Sequence, residues 1–175
     1  MPTTPDPSTF DYINLGIALA ALFIALAALI WQAVAFLLAG PRVKVAMKVG
    51  LLGASGLVSW PPDTAHTDVG ELRSQGFELP VVVAEIRNKG RMAVMVDKVE
   101  AVYSNGIALA GLEPPAGERL PYRLEPHAGF TYLMHGEPVA RGVQATMATG
   151  GTDRVRLRVA LGNGKTLHTK AAPLG

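Results

Sequence analysis

Hydrophobic and polar positions divide the chain into two regions of different periodicity. Residues 15–39 are apolar without a break, Gln32 being the one strongly polar member, and no charge lies between Asp11 and Arg42. As a helix rising about 1.5 Å per residue the run extends about 37 Å, against about 30 Å for the hydrocarbon core of a bilayer. A helix apolar on every side has no place inside a domain of this size. Residues 13–40 are therefore expected to form a transmembrane helix behind a disordered tail at 1–12.

Beyond Gly40 and Pro41 the period changes to two. Val43, Val45, Met47 and Val49 alternate with Arg42, Lys44, Ala46 and Lys48, which predicts a half-buried strand beginning hard against the bilayer. Residues 57–60 predict a short strand stopped by Pro61 and Pro62, and the polar, turn-rich 61–76 predicts a loop. The β-branched stretch within 77–87 is apolar on both faces apart from Glu85, the pattern of a central strand. Asn88-Lys89-Gly90 turns the chain. Residues 92–103 predict two short strands broken near Asp97 and Lys98, ended by Ser104-Asn105-Gly106, and 111–119 predicts a loop. Leu120, Tyr122 and Leu124 alternate before a turn at 126–129, and Phe130, Tyr132 and Met134 alternate after it. Residues 137–149 are the one helical candidate outside the membrane. Pro138 suits its first turn, Val139, Val143 and Met147 recur every four residues, and Gly150-Gly151 stops it. Residues 154–161 and 166–171 predict a hairpin around Gly162-Asn163-Gly164. Short alternating strands with frequent turns make 42–175 a mainly β domain of sandwich type.

Two stretches carry a resemblance. VVVAEIRNKGRMAVMVDKVEAVYSNG resembles the strand, Asn-x-Gly turn and strand of bacterial immunoglobulin-like domains. LPYRLEPHAGFTYLM resembles their corner, in which Pro and Gly precede an aromatic strand. The order of an anchor and then such a domain is similar to small membrane-anchored bacterial proteins of actinobacteria and their phages. The resemblance covers roughly 77–170. It departs from the pattern where His127 and Ala128 separate Pro126 from Gly129, and where no Cys–Trp–Cys core exists. It implies an immunoglobulin-like sandwich and no activity, since sandwiches host many functions.

Charge sets an expected orientation. No Lys or Arg precedes the apolar run, whereas Arg42, Lys44 and Lys48 follow it closely. Basic flanks favour the cytoplasmic side, so the N-terminus is expected outside and the domain in the cytoplasm of a single-pass cell-membrane protein. The competing reading assigns these three residues merely to the first strand of the folded domain. A cleaved signal peptide fits less well, because its basic n-region is missing and the run is about twice the length of an ordinary h-region. All 16 Lys and Arg lie in 42–175, while Asp6 and Asp11 of the 14 acidic residues precede it, leaving the domain at +4. That is mild for a nucleic-acid binder, and no nucleic acid is expected. Cysteine is absent, which fits either compartment.

Candidate chemistry is sparse. His66, His127, His135 and His168 form no i, i+4 pair on a predicted helix, so no metal is expected. Asp63, His66 and Asp68 share a loop, which reads as a solvated one. Ser55, Ser59 and Ser74 lack a nucleophile elbow. The stretch GLLGASG at 50–56 has no Lys-Ser/Thr after it, so it reads as a turn rather than a phosphate loop. No catalytic group and no cofactor is expected.

Two features stand out. Arg154, Arg156 and Arg158 project from one side of a strand, as Arg42, Lys44 and Lys48 do from the first. If the first strand lay beside the last, the six would make one basic surface for anionic lipid or an acidic partner, unless each is an ordinary solvated face. In the anchor, Ala18, Ala21, Ala25, Ala28, Gln32, Ala35 and Ala39 recur at alternating spacings of three and four. This small-residue seam is expected to support self-association or docking on another membrane helix, unless it is an accident of an alanine-rich segment. The chain thus reads as a non-enzymatic, membrane-anchored interaction or scaffold protein. Its alternative is an extracytoplasmic, envelope-associated binding domain of opposite topology. An enzyme would need a pocket with converging polar groups.

Overall fold

The computed structural model describes residues 9–64, 69–110 and 113–174, the side chains of 9, 11 and 36–39 excepted. The chain divides after Gly40 into two units. The first holds one helix, α1 (Thr9–Ala39, 31 residues). Its alanine- and leucine-rich sequence favours helix, and it contains no proline. It begins within the segment expected as a tail, whose residues 1–8 lie outside the described residues. The span Tyr12–Ala35 is long and apolar enough to cross a membrane.

The second unit is mainly β. Its elements are β1 (Val43–Gly53), β2 (Gly56–Trp60), α2 (Val69–Ser74), β3 (Phe77–Asn88), β4 (Val94–Tyr103), β5 (Ala108–Leu109), β6 (Tyr122–Leu124), β7 (Gly129–His135), α3 (Gly136–Ala148), β8 (Arg154–Leu161), β9 (Thr166–His168) and β10 (Ala172–Pro173). One antiparallel sheet has the order β2–β1–β3–β7. The other runs β10–β8–β4–β5, with β6 also on β4 and β9 also on β8. Both sheets contribute to one buried cluster. Met47, Val82, Ala84, Ile86, Phe130, Tyr132 and Met134 come from the first, and Val96, Val99, Ala101, Val155, Leu157, Val159 and Leu161 from the second. These are the alternate positions of their strands, so the residues between them point away from the cluster. Because β3 is apolar on both faces, a smaller cluster of Val81, Val83 and Leu133 lies on the other side of the first sheet.

Several elements differ from the pattern-based expectation. The expected break near Asp97 is a bulge within one strand, the register shifting between Val96 and Lys98, which absorbs an extra residue without ending the ladder. The expected loop at 61–76 contains α2. The stretch 50–56 is the end of β1 and its hairpin turn. A side chain at Gly50 would collide with the Val58 carbonyl across the pair, so the glycine serves close backbone approach. The strand expected at 166–171 ends at His168 as β9, and a separate β10 begins beyond it at Ala172; the two pair with opposite ends of β8. On α3 the buried residues are Val139, Val143 and Thr146, while Met147 is exposed. The spacing 0, 4, 7 keeps a residue on one face of a 3.6-residue helix, and a second step of four rotates off it. Gly142 lets α3 lie against Tyr103, whose ring would overlap any side chain there.

Candidate functional site

The six seam residues Ala18, Ala21, Ala25, Ala28, Gln32 and Ala35 are all exposed on α1. A continuous helix brings their spacing onto one face. The side chain of Ala39 lies outside the described residues.

The two basic strands fall in different sheets, which removes the single surface expected from neighbouring first and last strands. β1 pairs with β2 and β3, whereas β8 pairs with β4, β9 and β10. Each strand turns its apolar residues into the shared cluster, so Arg42, Lys44 and Lys48 point away from it on one side and Arg154, Arg156 and Arg158 on the other. The cause is topological. Alternation tells which face a residue takes, but not which strand lies next to it.

Two of the six are engaged by carboxylates. Lys48 Nζ donates to Glu85 Oε1 at 2.6 Å. Arg158 Nε donates to Glu100 Oε2, and Lys98 Nζ stands 2.6 Å from Glu100 Oε1. The Glu100 side chain is only 7% exposed. Burial opposes its ionisation, but the hydrogen bonds and charges of Arg158 and Lys98 prevail and hold its carboxyl below the ordinary glutamate value. Arg154 and Arg156 are exposed and form no ion pair among the described residues.

A second basic group is assembled where the chain enters the domain. Register places Lys44 directly opposite Arg87 on the two adjacent strands. One step further, the Lys89 amide donates to the Arg42 carbonyl at 2.7 Å. Arg91 follows in the same turn. All five cations are exposed, and none has an ion-pair partner among the described residues. Met92 beside them is 53% exposed.

Asn88 holds this end together. Its Oδ1 accepts from the amides of Gly90 at 2.9 Å and Arg42 at 3.3 Å. Its Nδ2 donates to the carbonyls of Met92 at 2.7 Å, Glu125 at 3.3 Å and Leu124 at 3.5 Å. Its own amide donates to the Ala128 carbonyl. One fully buried amide thus ties the start of β1, the β3–β4 turn and the β6–β7 corner. Sequence reasoning recognised the Asn-x-Gly turn but missed Arg87, Lys89 and Arg91. The signal was present as three cations alternating around that turn, without a sign of which strand lay beside it.

A cleft of about 760 Å3 opens elsewhere on the domain, between the inner ends of β1 and β3, the start of α3, and Pro173 and Leu174. Among the described residues its charged ones are Asp63, Arg73, Glu137 and Asp153, all exposed. His66 and Asp68, of the loop noted in the sequence, lie outside the described residues. Among the described residues no three His, Cys, Asp or Glu stand close enough together to hold a metal. The Tyr103 hydroxyl is buried beneath α3 with no hydrogen-bond partner among the described residues, and burial raises its pKa.

No protein-family model, curated protein or solved structure matches this chain.

Proposed function

We propose that the chain is a single-pass membrane protein that presents an immunoglobulin-like β-sandwich on the cytoplasmic side, as a non-catalytic interaction or scaffold module. The observation that carries this reading is α1. Phe10, Ile13, Leu15, Ile17, Leu22, Phe23, Ile24, Leu29, Ile30 and Trp31 are all more than half exposed on one helix. Apolar surface of that extent is not left to water in a soluble monomer. The 24 residues of Tyr12–Ala35 match the thickness of a hydrocarbon core.

The strand order supports the immunoglobulin-like reading. β1, β3 and β7 share one sheet while β4, β8 and the β9–β10 edge share the other. Immunoglobulin-type domains divide strands A, B and E from C, F and G in the same way. The cytoplasmic placement rests on the Lys and Arg that follow the apolar run and are missing before it.

The test is a pair of reporter fusions after Gly175. A reporter that fluoresces only in the cytoplasm should light up, and alkaline phosphatase, active only outside, should stay silent. The opposite pair of results would make the domain extracytoplasmic and overturn the orientation. Extraction of the chain from membranes by alkaline carbonate would overturn the anchor itself.

A further inference from the structure

We infer that the end of the domain formed by Arg42, Lys44, Arg87, Lys89 and Arg91 binds the anionic lipid headgroups of the membrane in which the chain is anchored. The inference rests on the reading of α1 as a membrane span.

Three observations lead to it. First, the fold builds the cluster. Arg42 and Lys44 come from the start of β1 and the residue before it, and Arg87, Lys89 and Arg91 from the end of β3 and its turn, more than forty residues away. Second, none of the five has an ion-pair partner among the described residues. Lys44 faces Arg87 across the ladder, a like-charge pair that destabilises a sheet unless an anion sits over it. The same face shows the contrast a few residues along, where Lys48 is matched by Glu85. Third, only Gly40 and Pro41 separate Arg42 from the apolar run. Whatever the angle between helix and domain, the chain itself keeps Arg42 near the level of the headgroups.

Clusters of four to eight Lys and Arg beside a membrane span bind anionic lipid, and the attraction dies within a Debye length. This cluster reaches that number only through the folded pairing of two distant segments. The second basic strand differs. Arg158 is neutralised by Glu100, and the two unpaired cations that remain, Arg154 and Arg156, lie at the end of β8 beside Val102 and Tyr103, the end of β4 away from the basic turn.

The chain contains no cysteine, so Met92→Cys offers a unique site beside the cluster for a polarity-sensitive fluorophore. Full-length protein is reconstituted into vesicles of phosphatidylcholine, and into vesicles of equal parts phosphatidylcholine and phosphatidylglycerol. The emission should shift to the blue in the anionic vesicles only, and high salt should reverse the shift. Adding Arg87→Glu, Lys89→Glu and Arg91→Glu should abolish it, while Arg154→Glu with Arg156→Glu should leave it unchanged. The milder Lys89→Gln with Arg91→Gln, confined to the exposed turn, should weaken lipid binding about fivefold per charge removed. Circular dichroism should be the same for every variant that is compared.

No shift in the anionic vesicles, or a shift that survives both the triple and the double turn variants, overturns the proposal. So does a shift lost equally on changing Arg154 and Arg156. A shift elicited by soluble polyglutamate in pure phosphatidylcholine, as strong as that from anionic lipid, would reassign the surface to an acidic protein partner. If the span reading itself were wrong, the protein would fail to co-float with either vesicle after a carbonate wash, a result separate from any shift.

Discussion

Two cross-strand rungs of the β-domain teach more together than either does alone. In the first sheet Lys44 stands opposite Arg87. In the second, Glu100 stands opposite Arg158. Both rungs point outward from the shared cluster, and both include an arginine. Glu100 is nearly buried and doubly paired, so its rung serves the stability of the sheet. The Lys44–Arg87 rung repels, is exposed, and is followed by Lys89 and Arg91, none of the four having an ion-pair partner among the described residues. Like charges directly opposite cost stability. A domain that neutralises one arginine with a buried carboxylate has the means to do so at another, and here leaves it bare. Surface charge is therefore read by its partners and not by its sign alone.

The repelling rung persists because something else holds its end in place, and Asn88 is that group. Asn88→Ala would leave the amides of Gly90 and Arg42 and the carbonyls it serves without their partner. Each unsatisfied buried group costs about 1–3 kcal/mol. The expected loss is about 3 kcal/mol or more, seen as a lower midpoint in urea unfolding of the domain. Proteolysis should then begin at Arg87, Lys89 or Arg91, since that end opens first. An unchanged midpoint would mean that the end of the domain does not depend on this amide.

The attracting rung gives the next largest effect. Arg158→Glu sets a second carboxylate against Glu100, and should cost about 2 kcal/mol, in the range for a hydrogen bond to a charged group. The pH dependence follows from the same pair. Glu100 has a folded pKa below its unfolded value. Its contribution is therefore complete above the unfolded pKa and disappears as pH falls through the folded one. Acid unfolding should steepen over that interval, and Glu100→Gln should flatten it while lowering stability at neutral pH. A titration monitored by near-UV circular dichroism, run on both proteins, checks the sign.

These rungs also mark where sequence reading stops. The long apolar helix α1 is legible because its signal is a local run of one kind of residue. The strand at VVVAEI is legible because β-branched residues apolar on both faces belong in the middle of a sheet, and β3 is central between β1 and β7. The helix at Pro138 is legible from its spacing, although the third buried position moved from Met147 to Thr146 once the true pitch applied. Pairing is another matter. That Arg42 meets Lys89, or that Arg158 meets Glu100, depends on which strands the topology makes neighbours, and nothing local to either strand encodes it. The six cations expected on one surface therefore divide between two, and the five that do gather include three whose local alternation around a turn gives no sign of the strand beside them.

The smallest effect is the sharpest test, because the same substitution should act with opposite sign on the two rungs. Arg87→Glu turns the repelling rung into an attractive one, with Lys44 opposite and Lys89 and Arg91 near in the chain. Cross-strand charge pairs contribute about 0.2–1 kcal/mol, so the domain should become slightly more stable, by an amount within that range. Arg158→Glu should destabilise it. The gain should shrink at high salt, as it must for an exposed pair, whereas the loss at Arg158 should persist because Glu100 is buried. Paired urea titrations at low and high salt measure both. If Arg87→Glu destabilised the domain as much as Arg158→Glu does, the Lys44–Arg87 rung would be part of the scaffold's own stability, and its lack of a counter-charge would say nothing about a partner. If it stabilises, the native arginine is kept at a cost to the fold, and that cost has to be offset by something the domain meets with this end.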